Sequence, residues 1–189
     1  MKVLVAVLFT AGAALAASPA HARDVVVRRT WELRKPVAEV MATLAAYDQY
    51  CARGCRYHVP SVVTAQILAY ARHPDDFYVW TSVKDIEDSS WFSHYAVQRT
   101  EHGARVEIRM VSPATGETLA KATKREHAPS VDGSANVYEL TDVGAGTPKT
   151  RVTLTSTVSL SGVAALFGSG IVRDRLEEAA QAMRKNLSR

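Results

Sequence analysis

The sequence predicts an α+β domain in which an antiparallel sheet wraps around one long C-terminal helix. Three observations predict it. About 100 residues in the middle of the chain read as successive strands with short breaks, the last of these strands alternates cleanly, and after Leu160 the apolar period lengthens to that of an amphipathic helix.

The first 22 residues stand outside this fold. Met1-Lys2 gives a positive start, Val3 to Ala17 is almost wholly apolar, and Ala20-His21-Ala22 places small residues where a signal peptidase reads. The apolar run is about 15 residues, short of the roughly 20 that span a bilayer. The expectation is a signal peptide at 1–22, with a second cleavage point after Ala16, and a single domain at 23–189 that acts in the periplasm or is secreted. Residues 23–189 suffice for one domain with a core of its own.

The first strand is Asp24 to Leu33, where Val25, Val27, Trp31 and Leu33 share one parity. Lys35-Pro36 opens a helix, since proline is tolerated where the first-turn N–H groups are unpaired. From Val37 to about Tyr50, Val37, Val40, Met41, Leu44 and Tyr47 recur on one helical face until Gly54 and Pro60 end the helical region. Strands follow at Val62 to Tyr70, Phe77 to Ile86, Trp91 to Thr100 and Ala104 to Val111, with breaks short enough for a meander of hairpins. In Phe77 to Ile86 the apolar residues fall on both parities, which means a strand covered on both faces or a bulged one. Ala114 to Asp132, bracketed by Pro113 and Pro129, reads either as a strand over Thr118 to Lys124 or as a loop across the open end of the sheet. Asn136 to Leu140 and Thr150 to Leu160 complete the sheet; in the latter, Val152, Leu154, Val158 and Leu160 form a core face opposite Arg151, Thr153, Thr155, Thr157 and Ser159.

Gly162 to Gly170 then leads into Ile171 to Leu187. Val172, Leu176, Ala179, Met183 and Leu187 lie on one side of this helix, and Arg173, Asp174, Glu177, Gln181 and Lys185 on the other. Alanines at 179, 180 and 182 either let the helix approach the sheet closely or leave room for a ligand.

Cys51 and Cys55 are the two cysteines of the chain. In an oxidising compartment a structural disulfide is the simplest reading, with free thiols as the alternative; a redox pair has two intervening residues, and a metal site needs further ligands. A bridge here would stiffen the connection between the first helix and the strand beginning near Val62.

The net charge of +4 falls by one with loss of Lys2, and the basic residues are interspersed with acids, so nothing marks a nucleic-acid surface. His58, His73, His94, His102 and His127 include no pair at metal-ligand spacing. There is no Gly-x-Ser-x-Gly elbow and no phosphate-cradling glycine loop. No catalytic residue, metal or cofactor is assigned.

The order of parts resembles the helix-grip fold of the START-like or SRPBCC (Bet v 1-like) superfamily. It is similar to START-type lipid-transfer domains, the birch-pollen-allergen family, polyketide cyclases and coenzyme Q-binding proteins. The residues that carry the resemblance are Arg29 to Tyr50 with Lys35-Pro36-Val37-Ala38-Glu39-Val40, then Val59-Pro60-Ser61-Val62-Val63, then Thr150 to Leu187. It implies a curved antiparallel sheet gripping the last helix, with a hydrophobic small molecule or lipid held between them. The expected function is therefore that of a soluble, exported binding or transport protein. Trp80, His94, Tyr95, Met110 and Tyr138 from strands are its candidate lining residues, with Phe167, Leu176 and Met183 from the final segment.

Two alternatives accompany this reading. One is a cyclase or dehydratase-like enzyme, with His94 as acid or base and Arg109 or Glu107 as a polar partner in the cavity. The other is an envelope interaction module that makes transient membrane contact through Gly162 to Gly170.

Overall fold

The computed structural model describes residues 23–68, 74–84, 88–162, 165 and 168–189. The N-terminal segment, Phe167 and most of the 163–167 stretch therefore lie outside the described residues.

Strand β1 (Arg23–Leu33) leads to helix α1 (Val37–Ala45), a single 3-10 turn (Tyr47–Gln49) and the two-residue strands β2 (Tyr50–Cys51) and β3 (Tyr57–His58). The strands β4 (Val62–Ile67), β5 (Asp76–Lys84), β6 (Asp88–Thr100) and β7 (Gly103–Met110) follow. Helix α2 (Pro113–Thr123) separates them from β8 (Gly133–Asp142) and β9 (Thr150–Leu160), and helix α3 (Ser169–Ser188) closes the chain. The main sheet has seven strands in the order β1-β9-β8-β7-β6-β5-β4, every pair antiparallel. The meander is as expected, and β1 joins it by pairing along its whole length with β9, from Arg23 opposite Leu160 to Leu33 opposite Thr150.

Parity assigns the two faces. Val25, Val27, Trp31 and Leu33 of β1 are buried, as are Val152, Leu154, Val158 and Leu160 of β9, and these join Val40, Leu44, Val79, Val106 and Leu187 in the interior. Helix α1 is shorter than the apolar period suggested. Ala46 leaves helical geometry, and the buried Tyr50 returns to donate its hydroxyl to the carbonyl of Thr43 at 2.8 Å, which satisfies a carbonyl of the last helical turn.

The segment expected as a strand or loop at 118–124 is a helix instead. Ser112 caps it by accepting the Thr115 N–H at 3.3 Å, and Pro113 occupies the first turn. The helix was hidden because its apolar stripe is thin, with Leu119 and Ala120 as its contacts to a small cluster of Leu68, Trp80 and Phe92 on the back of the sheet. This back layer also explains β5, whose two faces are both covered. Gly116 of α2 rests on the His127 imidazole so closely that a Cβ would lie 2.2 Å from Nε2, so any larger residue would have to displace the ring.

Helix α3 is fixed most firmly at its C-terminal end, where Ala180, Ala182, Asn186 and Leu187 are buried. Asn186 accepts the His58 N–H at 3.2 Å and donates its amide to the His58 carbonyl at 2.7 Å, so one side chain completes the pairing of a short strand. Nearer the other end, Glu177 pairs with Arg29 of β1.

Leaving those two backbone groups unsatisfied is the main effect expected of Asn186→Ala. The variant should lose about 2 kcal/mol of unfolding free energy in urea denaturation. A change smaller than about 0.5 kcal/mol would mean that water replaces the amide without cost.

Candidate functional site

Between the concave face of the sheet and α3 lies a cavity of about 510 Å³. Its wall draws on every layer of that side: Leu44 of α1, Tyr47 and Tyr50 of the connection, Ile108 of β7, Tyr138 of β8, Leu154 of β9, and Leu176, Ala179 and Met183 of α3. The exposed Ile171, Arg175 and Glu178 mark its rim, while Val172 and Leu176 on the same half of α3 pack against Val25, Val158 and Leu160 of β1 and β9. The cavity exists because α3 turns alanine toward the sheet at 179 and 180, where a leucine would fill the space.

Three of the candidate lining residues are on this wall: Tyr138, Leu176 and Met183. Tyr95 is on the same face of the sheet but is packed into the core beyond the cavity, stacked on Phe77 with ring centroids 4.3 Å apart and edge-on to Tyr47 at 6.3 Å. Trp80 and His94 are corrected, because strand parity sends both to the other face. Trp80 lies under α2, donates its indole N–H to the Glu126 carbonyl at 2.8 Å and carries the Arg125 guanidinium over its ring. His94 is half-exposed beside Tyr78, 2.7 Å from the Asp76 carboxylate. Met110 is corrected as well: it closes β7 and lines a groove on that outer face with Tyr78, His94, Arg105 and Arg109. Arg109 and Glu107, expected as polar partners in a cavity, pair with each other on the outside at 2.6 Å, and that contact, above all its hydrogen bond, holds the Glu107 carboxyl below its usual range. Phe167 falls outside the described residues.

The polar groups of the wall were missed by sequence reasoning. Thr81, Ser93, Ser134, Asn136 and Ser156 interrupt otherwise apolar strand faces. The signal was present in β9, where Val152, Leu154, Val158 and Leu160 share a face with a serine at position 156. Asn136 and Ser156 are opposite each other in the β8–β9 register, and Ser156 donates its hydroxyl to Asn136 Oδ1 at 2.7 Å. The helical connection gave a second signal, the aromatic pair Tyr47 and Tyr50, both on the wall.

The charge state of the wall is fixed. Burial, the largest cause, raises the Tyr47, Tyr50 and Tyr138 hydroxyls well above the ordinary phenol range, with neighbouring phenols pushing the same way. They are neutral hydrogen-bonding groups and not phenolates. No histidine, lysine or cysteine lines the cavity among the described residues, and the charged pair Arg175 and Glu178 at the rim is joined at 3.0 Å. A wall of this kind orders an apolar guest by shape and hydrogen bonds.

Cys51 and Cys55 form a disulfide. The bridge closes the loop between β2 and β3, in which Gly54 takes the left-handed conformation with φ of 83°. Tyr50 on one side of the loop and Val59, Pro60, Ser61 and Val62 on the other are wall residues, so the bridge braces one side of the cavity without entering it.

No protein-family model matches the sequence, and no curated protein matches it. Solved structures do. The chain superposes on the di-domain ARO/CYC StfQ from the steffimycin biosynthetic pathway with a TM-score of 0.61 at 10% identity, over 87% of this chain and 50% of that one. It therefore spans about half the length of that protein. A START superfamily protein from Mycobacterium smegmatis gives 0.54 at 13% identity over 86% of this chain and 94% of the other. Norcoclaurine synthase from Thalictrum flavum gives 0.58 at 8% identity over 100% and 96%. The fold is START-like, a helix-grip α+β domain.

Two outcomes follow from the geometry. Because the wall phenols stay protonated and no histidine, lysine or cysteine lines the cavity among the described residues, affinity for an uncharged apolar dye should stay within about twofold from roughly pH 5 to 9; a sigmoidal change in a fluorescence titration would reveal a titrating group on the wall. Replacing both cysteines by serine should lower stability by about 2 kcal/mol in thermal or urea unfolding. Equal stability of the two forms would deny the bridge its bracing role.

Proposed function

We propose that this protein is a soluble, exported binding or transport protein for a hydrophobic small molecule or lipid, held between the sheet and α3. The observation that carries the proposal is the cavity itself: about 510 Å³, apolar over most of its wall and kept open by alanines on the gripped helix. That volume falls within the roughly 300–1,000 Å³ of small-molecule sites. Fold-level likeness to a START superfamily protein supports the same reading by analogy.

The periplasm or the extracellular space is the proposed location. It rests on the signal-like run before residue 23 and agrees with the Cys51–Cys55 bridge, since such bonds persist in oxidising compartments. Among the described residues no helix is long and apolar enough to cross a membrane. Fractionation of the native host, followed by mass measurement of the mature chain, tests the location and the cleavage point together.

A cyclase-type activity is the second reading. Two of the similar structures, an ARO/CYC and norcoclaurine synthase, have this fold. Its proposed acid or base, His94, is on the outer face, and the phenols on the wall hold their protons too firmly to serve as bases. Binding without chemistry is the better fit. The envelope-module reading depended on 162–170, most of whose apolar side chains lie outside the described residues.

Native mass spectrometry and lipid extraction of protein purified from its own host test the main proposal. A bound apolar molecule released on denaturation is the expected result. Ala179→Trp should fill the cavity and reduce dye binding by about tenfold or more while the protein stays folded. His94→Ala should leave dye binding unchanged. If wild type binds neither host lipids nor apolar dyes, the binding function is wrong.

A further inference from the structure

Within the apolar wall, one hydrogen-bonding group is set with a fixed direction and an unused donor. Asn136 lies in the middle of β8, paired on one side with Ile108 of β7 and on the other with Ser156 of β9. Both neighbouring strands hold its backbone, which fixes the face of the sheet from which the carboxamide projects. Ser156, almost fully buried, donates its hydroxyl to Asn136 Oδ1 at 2.7 Å. The opposite neighbour, Ile108, offers no acceptor. Among the described residues the two hydrogens on Asn136 Nδ2 have no acceptor, and Asn136 is part of the cavity wall between Ser134 and Tyr138.

We propose that the Asn136–Ser156 pair selects neutral ligands with a carbonyl or similar acceptor oxygen in an apolar body. This rests on the binding function proposed above and names the class of molecule the cavity takes. The selection is asymmetric. A ligand with an acceptor oxygen at this point satisfies the amide, whereas a pure hydrocarbon of the same shape strips water from it and gives nothing back. A site built to hydrogen-bond its ligand rejects the analogue that lacks the group more strongly than an apolar pocket rejects a change of size.

Neutrality follows from the rest of the wall. Apart from phenols that stay protonated, the ionisable groups on it are Arg175 and Glu178, paired with each other at the rim. A carboxylate or phosphate carried to the depth of Asn136 would lose its hydration with no cation beside it. Ser156 acts here as a positioning residue: its hydroxyl holds Oδ1 and so aims Nδ2.

Three dyes of similar shape test the proposal: propionyl-dimethylaminonaphthalene, a ketone; propyl-dimethylaminonaphthalene, in which a methylene replaces the carbonyl and which serves as the hydrocarbon analogue; and the dimethylamino-naphthoate anion. Wild type should bind the ketone about tenfold more tightly than the hydrocarbon, with the carboxylate weakest. Its bound emission should be red-shifted by the hydrogen bond. Asn136→Leu should bring ketone and hydrocarbon within about twofold of each other and shift the bound emission to the blue. Ser156→Ala leaves the amide in place but free to turn, and should narrow the preference without removing it.

Equal wild-type affinity for ketone and hydrocarbon overturns the proposal, as does a preference that survives intact in both variants or a carboxylate that binds best. In each of those cases the binding function itself stands. If no dye binds to wild type while a host lipid co-purifies, the selection proposed here fails and the binding function stands; if neither binds, both fail. Should Asn136→Leu not fold, the wild-type comparison and Ser156→Ala decide the matter.

Discussion

The structure depends on how α3 is held, at its C-terminal end by Asn186 and along its first half by the β1–β9 edge of the sheet. Asn186 is the fixed point. Its amide takes the place of a neighbouring strand for His58, and around it Ala182 and Leu187 are buried in the body of the domain. Toward the N-terminus of the helix the contacts move to the β1–β9 edge, where Val172 and Leu176 pack on Val25, Val158 and Leu160 and Glu177 pairs with Arg29, while Ile171 and Arg175 are exposed. A helix held along its whole length against a concave sheet would draw the sheet onto itself, because close packing is the favourable state of an apolar interior. Held at its C-terminal end and at one edge of the sheet, with alanines facing inward at 179 and 180, it spans the concavity and leaves a space beneath.

An open cavity forfeits dispersion contacts along its wall, and the loss must be offset elsewhere. Two features do this. At the closed end, the aromatic group of Phe77, Tyr95 and Tyr47 joins Trp31, Val79, Val106 and Leu187 in a continuous core. On the back of the sheet, α2 covers Trp80 and Phe92, and Arg125 stacks on the indole. The strands that line the cavity are thus supported from behind and from one end. Their position does not require the concave face to be filled.

The framework was legible in the sequence, and the reason is periodicity. Thr150 to Leu160 alternates without a break because one face meets the core and the other water, and Val172, Leu176, Met183 and Leu187 repeat at helical spacing for the same reason. Legibility failed where both faces of an element are covered. In β5, Trp80 and Thr81 are both buried, so hydrophobicity alone could not say which side of the strand faced the cavity. The placement of Trp80 erred for that reason, and His94, opposite Tyr78 in the β5–β6 register, was misplaced with it. Helix α2 was missed for the converse one, since only Gly116 of its residues is fully buried and it leaves almost no periodic trace.

The site was legible only in its apolar part. Tyr138, Leu176 and Met183 fit a hydrophobic lining, whereas Asn136 and Ser156 look like ordinary interruptions in a strand when each is read alone. Their meaning comes from register, because β8 and β9 must be aligned residue by residue before the serine is seen opposite the amide. A buried polar pair with nothing beside it would be a local cost to the fold, and well-packed apolar side chains of similar volume would remove that cost. Here the pair fronts the cavity instead of the core. A hydrogen-bond donor maintained at that place, in a wall that otherwise excludes charge, is better accounted for by what occupies the cavity than by the stability of the sheet.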